Sequence, residues 1–168
     1  MDKTEKAMEK FFKNRMVAWI IVALVILASF SHGLNRDDTR HRAVVEQAFE
    51  TYMWPIIEQG SSFAFNLGVV ATRNGINNEI QEIVDTITNT NNISEQGEYF
   101  IALVSAVLEL ENAILAANFP DSELNLAHNW IVNFEEQQLL FSQSIYNTIA
   151  HNFNENIRFI GSDMPVFD

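Results

Sequence analysis

The longest apolar stretch of the chain runs from Met16 to Phe30 and contains no charged residue. Extended through Leu34, it covers nineteen residues, close to the length that a helix needs to cross a hydrocarbon core of about 30 Å. A helix of valine, isoleucine, leucine and alanine also satisfies its own backbone hydrogen bonds in lipid. The pattern therefore predicts one transmembrane helix over 16–34, with the anchor residues Met16, Trp19, Ile20, Leu24, Leu27 and Phe30.

Two other interpretations of this stretch stay open. A cleavable signal peptide also combines a basic start with an apolar run, although Ser29-Phe30-Ser31 is a weak cleavage site. A buried core helix is the second, although such helices seldom lack a polar face over four turns.

Residues 1–15 carry an excess of basic residues and predict an amphipathic tail at the membrane surface. Five Lys and Arg precede the span and three follow closely, which favours a cytoplasmic N-terminus and a domain outside or in a lumen.

After the anchor, apolar residues recur at spacings of three and four from Val44 to Ile56, which predicts a helix with one buried face. Pro55 lies inside this pattern, where it removes a backbone donor and should kink the helix about one turn earlier. Gly60-Ser61-Ser62 predicts a second weak point before the apolar pattern resumes and runs to Arg73. The first helix of the domain is therefore expected to be long and bent.

Three further helices follow in the pattern. Residues 77–88 predict a short amphipathic helix, the Asn-rich residues 89–92 predict a loop, and Asn92 with Glu95 resembles a capping pair for a helix over 95–118. Asp121 or Ser122 should cap a last helix over 123–158, which would pack along the first one. Its seam at spacings of four and three is Ala127, Ile131, Phe134, Gln138, Phe141, Ile145, Thr148 and Asn152.

These elements predict an all-α protein in three parts. Residues 1–15 form the tail, 16–34 the transmembrane helix, and 35–168 an antiparallel bundle of about four helices. The last part holds five arginines, no lysine and 19 acidic residues, a net charge of about −14. Such a domain repels phosphate backbones, so nucleic acid is not an expected partner. Binding of a cation or a basic peptide stays open.

Motifs for catalysis are missing from the chain. There is no cysteine, no Gly-x-Ser-x-Gly elbow and no phosphate-binding Gly-x-x-x-x-Gly-Lys loop. A di-iron bundle needs two Glu-x-x-His pairs, and the nearest match is the single Asp38-x-x-His41. Glu135 and Glu136 are neighbours in a helix and point about 100° apart, so they cannot act as a carboxylate pair. We therefore predict no enzymatic activity, no cofactor and no metal site.

Several short motifs, in order, resemble those of the LemA family. Residues 31–34 and the following 42–49 (RAVVEQAF) resemble the stretch after the anchor in that family. Residues 65–67 resemble its Ile-Pro-Asn-Leu motif without the proline, and 119–121 its Tyr-Pro-Asp turn. Residues 144–147 and 153–154 are similar to its Phe-Tyr-Asn and Tyr-Asn motifs. The positions singled out by this resemblance are Phe49, Asn66, Leu67, Pro120, Asp121, Tyr146, Asn147 and Asn154.

The resemblance implies a membrane-anchored antiparallel bundle in a family without established enzymatic activity. Asn66, Asn147 and Asn154 are expected to bond backbone or facing side chains and so fix the register of helices, or else to contact a peptide or partner. One function class is a scaffold or adaptor in the bilayer that meets a second copy or another membrane protein, which predicts an apolar patch on the bundle exterior. The other is a peptide- or cation-binding sensor, which predicts a concave pocket.

Overall fold

The computed structural model describes residues 40–156 and 163–167. Contacts divide the chain into two units, Met1–His41 and Arg42–Asp168, and nearly all described residues belong to the second. All regular secondary structure within the described residues is helical, which confirms the all-α class. The predicted transmembrane helix over 16–34 and its anchor residues lie outside the described part of the chain.

The described residues form a series of helices joined by short turns and loops. Residues 40–48 are α-helical (α1) and continue into a π-helical turn, Phe49–Met53. The remaining helices are α2 (Trp54–Arg73), α3 (Ile80–Asn89), α4 (Ile93–Ala116), α5 (Asp121–Ser142) and α6 (Ile145–Asn156).

The predicted irregularity before Pro55 is present as the π-helical turn. Pro55 itself lies in the first turn of α2, directly after the π-helical turn. The second predicted weak point, at residues 60–62, is wrong because α2 continues through it. Gly60 instead permits close packing, since a Cβ there would lie 2.7 Å from Cε2 of Phe100 in α4.

The prediction of one last helix over 123–158 is also wrong, because the helix breaks between Ser142 and Ile145. The Ser144 hydroxyl accepts the Tyr146 N–H at 3.3 Å, and Asn147 Nδ2 donates to the Phe141 carbonyl at 3.3 Å. These side-chain bonds compete with continued helix. The break shifts the buried positions: Ala127, Ile131, Phe134 and Phe141 are buried as predicted, but Gln138, Ile145, Thr148 and Asn152 are exposed, and Gln137, Tyr146, Ala150 and Phe153 are buried instead.

The two predicted helix caps have different outcomes. Asn92 caps α4 through its side chain, which accepts the Ser94 N–H at 3.0 Å, and Glu95 Oε1 accepts from Asn92 Nδ2 at 3.3 Å. For α5, the capping residue is Pro120, with no side-chain cap, so the prediction of Asp121 or Ser122 as the cap is wrong. Asp121 lies in the first turn, where its carboxylate favours the positive end of the helix dipole.

The core lies where α2, α4 and α5 meet. The α2 helix packs mainly along α5, as expected for the first and last helices, and it also contacts α3 and α4. Phe100 lies between the rings of Phe134 and Phe141, with ring centroids at 5.9 and 4.7 Å. The largest fully buried side chains are Tyr146, Phe49, Phe100, Phe134, Phe153, Met53, Ile57, Leu67, Ile80, Ile87, Leu103 and Ile114.

Among the described residues, α4 is the one helix long and apolar enough to cross a bilayer by length and composition alone. Its inner face, including Phe100, Leu103 and Leu110, is buried in the bundle. A core helix passes the same test, so this observation is weak evidence for a membrane span.

Candidate interaction sites

The positions singled out by the family resemblance do not form one cluster. Phe49 and Leu67 are fully buried core residues. Asn66 is half-buried on α2, and its Nδ2 donates to the Ser62 carbonyl of the same helix at 2.9 Å. Pro120 and Asp121 are exposed at the junction of α4 and α5. These five residues therefore share no site.

The other three positions, Tyr146, Asn147 and Asn154, meet around the segment Asp163–Phe167, which we call the C-terminal segment. The amide of Asn154 makes two bonds with Met164: Nδ2 donates to its carbonyl at 2.7 Å, and Oδ1 accepts its N–H at 2.8 Å. Asn147 makes the same two hydrogen bonds with Phe167: its Nδ2 donates to the Phe167 carbonyl, and its Oδ1 accepts the Phe167 N–H at 3.1 Å. Each asparagine thus holds both backbone groups of one residue, as a neighbouring β-strand would.

The spacing of the two asparagines matches that of the residues they hold. Asn147 and Asn154 are seven residues apart on α6, which is a rise of about 10.5 Å. Met164 and Phe167 are three residues apart, which is about 10 Å in an extended chain. The pairs 154 with 164 and 147 with 167 also mean that the C-terminal segment runs antiparallel to α6.

Phe167 fills an aromatic pocket beside these bonds and is only 4% exposed. Its ring lies 5.4 Å from the ring of Phe141 and 6.0 Å from that of Tyr146, measured between centroids. The floor is Gly97 of α4, where a Cβ would come within 2.0 Å of the Phe167 ring. Glycine at this position is therefore required for Phe167 to enter the pocket.

Tyr146 joins the C-terminal segment to the first part of the bundle. Its hydroxyl donates to the Pro165 carbonyl at 2.9 Å, and its ring meets the edge of Phe49 at 5.2 Å. Burial raises the pKa of the Tyr146 phenol well above its ordinary value, because the charged form is poorly solvated there. The phenol therefore acts as a permanent hydrogen-bond donor. We call the whole site, formed by Gly97, Phe141, Tyr146, Asn147 and Asn154, the α6 groove.

A second candidate surface lies on the outer face of α4. Ile101, Leu108 and Leu115 are 46%, 59% and 69% exposed and follow one another at intervals of seven residues. Ser105 and Asn112, also exposed, lie between them. This pattern is that of a coiled-coil seam with small or polar residues in alternate layers. We call these five residues the α4 seam.

Acidic residues line two open clefts of the bundle surface. One, of about 770 Å³, is lined mainly by α3 and includes Glu79, Glu82 and Asp85. Another, of about 950 Å³, includes Glu46 and Glu50 and borders the C-terminal segment at Met164. Within the described residues, no group of three His, Cys, Asp or Glu side chains is placed to hold a metal ion.

Sequence reasoning missed the partners of the two asparagines. Met164 and Phe167 belong to a short apolar run, residues 164–167, that follows Gly161-Ser162-Asp163, and this run is the signal that could have found them. Gly97 is a second such signal, because an isolated glycine in a helical pattern often marks a position where another part of the chain packs closely against the helix.

Comparison of the chain with models of protein families, with curated proteins and with solved structures gave no match.

Proposed function

We propose that the protein is a membrane-anchored, non-catalytic scaffold of the LemA type, which assembles with further copies of itself through the α4 seam. The membrane anchor in this proposal is the apolar stretch 16–34. The observation that supports assembly is the seam itself: large apolar side chains exposed at heptad spacing on a helix whose opposite face is already buried in the bundle.

The arrangement of the seam suits pairing with itself. Leu108 lies seven residues from both Ile101 and Leu115, so a two-fold axis at Leu108 would place Ile101 of one copy against Leu115 of the other. In a parallel pair, each residue would meet its own counterpart. Leu108 faces Leu108 in both arrangements. Asn112 lies at a layer where a polar residue commonly selects the register of a coiled coil.

Charge supports the same surface. The domain carries about −14, so two copies repel each other over most of their surface. The five residues of the α4 seam are uncharged and present apolar or small polar side chains. Two copies that approach seam to seam therefore bury apolar surface, with Glu109 and Glu111 at the margins of the contact.

The test is the native mass of the full chain in mild detergent, measured by light scattering, for the wild type and Leu108→Glu. We expect the wild type to be a dimer or larger and the variant to dissociate, with a dissociation constant raised about 30-fold or more, as at an interface hot spot. A charge at the centre of the seam would have to be desolvated in every copy.

Leu139→Glu is the matched control. Leu139 is exposed to a similar degree, 55%, but it lies on α5 near the exposed charges of Glu135 and Glu136. We expect this variant to keep the wild-type mass. A monomeric wild type, or a Leu108→Glu protein with the same native mass as the wild type, would contradict the proposal.

A further inference from the structure

We infer that the α6 groove is a binding site for extended peptides, which the protein's own C-terminal segment occupies. The ligand class is a peptide with two large apolar side chains three residues apart, the second of them aromatic. This inference is independent of the α4 seam.

Side-chain hydrogen bonds hold the backbone of the C-terminal segment in the α6 groove. Asn147 and Asn154 each bind the N–H and the carbonyl of one residue, and Tyr146 binds the carbonyl of Pro165. Side-chain amides that hold main-chain groups recognise any extended peptide, whatever its sequence. Backbone bonds of this kind supply affinity in peptide recognition by strand addition, while pockets supply specificity.

Two side chains of the C-terminal segment are buried against the bundle. Met164 and Phe167 are each 4% exposed, whereas Pro165 and Val166 between them are half-buried. The pocket for Phe167 is aromatic, and Gly97 leaves room for a large ring in it. The groove thus selects side chains at the first and fourth positions, and proline suits the second because the hydrogen bond there uses a carbonyl.

An open cleft adjoins the α6 groove. It is bordered by Glu46 and Glu50 and reaches the C-terminal segment at Asp163–Pro165. Occupation by the protein's own segment makes binding competitive, because an incoming peptide meets only the fraction of molecules in which the groove is vacant.

The experiment measures binding of a fluorescein-labelled peptide with the sequence of residues 163–168 to the full chain in detergent, by fluorescence anisotropy. Wild type is compared with Met164→Asp/Phe167→Asp, whose own segment no longer suits the pockets. We expect the double variant to bind the peptide at least about tenfold more tightly than wild type does. The same peptide with aspartate at both apolar positions should not bind.

Two further variants, made in the double-variant background, locate the binding. Asn154→Asp replaces the amide donor with a carboxylate oxygen facing the peptide carbonyl and should weaken binding about tenfold. Asn66→Asp is the matched control, since Asn66 bonds its own helix, and it should leave binding unchanged.

Equal affinity of wild type and double variant, or no binding by either, would overturn the inference. Binding of the aspartate-substituted peptide, or insensitivity to Asn154→Asp, would do the same. If the double variant loses cooperative unfolding, the segment is a fixed part of the fold rather than an occupant of a site, and the inference fails on that ground too.

Discussion

Replacing Phe100 by alanine should lower the free energy of unfolding by about 3–5 kcal/mol, the usual cost of emptying a large aromatic site in a core. Phe100 is fully buried, its ring lies against those of Phe134 and Phe141, and it contacts α2 at Gly60. The substitution leaves a cavity where α2, α4 and α5 meet, and none of these helices can move inward without losing contacts elsewhere.

Chemical denaturation followed by far-ultraviolet circular dichroism measures this effect. The control is Tyr99→Ala, because Tyr99 is the neighbouring residue on α4 but is 38% exposed. We expect Tyr99→Ala to lower the free energy of unfolding by about 1 kcal/mol or less. A Phe100→Ala protein as stable as the control would mean that α4 does not pack into the bundle as described.

Gly97→Ala should also destabilise the protein, although alanine is the better helix former. Inside an ordinary helix, replacing glycine by alanine stabilises by about 0.5–1 kcal/mol. At this position the added Cβ would lie within 2.0 Å of the Phe167 ring, so Phe167 must leave its pocket. The loss of Phe167 burial costs about 1.5–3 kcal/mol, and the buried Oδ1 of Asn147 loses the hydrogen bond from the Phe167 N–H at about 1–3 kcal/mol more.

The sign of the Gly97→Ala effect is therefore the decisive quantity. We expect chemical denaturation to show a free energy of unfolding that is lower by about 2–4 kcal/mol, with cooperative unfolding retained. Asn129→Ala, at an exposed helical position of α5 outside the α4 seam, should show the slight stabilisation that helix propensity predicts. A stabilised Gly97→Ala protein would contradict the placement of Phe167 against α4.

The sequence pattern predicted the helices best where burial is continuous. In the last predicted helix, Ala127, Ile131, Phe134 and Phe141 are buried as expected, whereas the large apolar residues of α4 divide between the core and an exposed face. The pattern failed after Phe141 because the break at 143–144 needs neither proline nor glycine. It depends on bonds made by the Ser144 and Asn147 side chains, which hydrophobic periodicity does not record.

The candidate sites were predictable to different degrees. The heptad spacing of the α4 seam is visible in the sequence, but apolar residues lie on more than one face of α4, so only the packed bundle distinguishes its outer face from its inner one. Asn147 and Asn154 were singled out by their resemblance to family motifs. Their bonds to Phe167 and Met164 join residues 20 and 10 positions apart, respectively, a tertiary pairing that leaves no local periodicity.

Oxidative cross-linking of the Leu108→Cys variant tests the central claim, self-assembly through the α4 seam, most directly. The chain has no cysteine, so any disulfide-linked dimer must form at the introduced position. Residue 108 meets itself in both the parallel and the antiparallel pair, and a disulfide requires Cα atoms within about 7 Å of each other. We expect a covalent dimer from membranes containing Leu108→Cys and only monomer from the exposed control Leu139→Cys. Monomer from both variants, or equal cross-linking of both, would contradict the account.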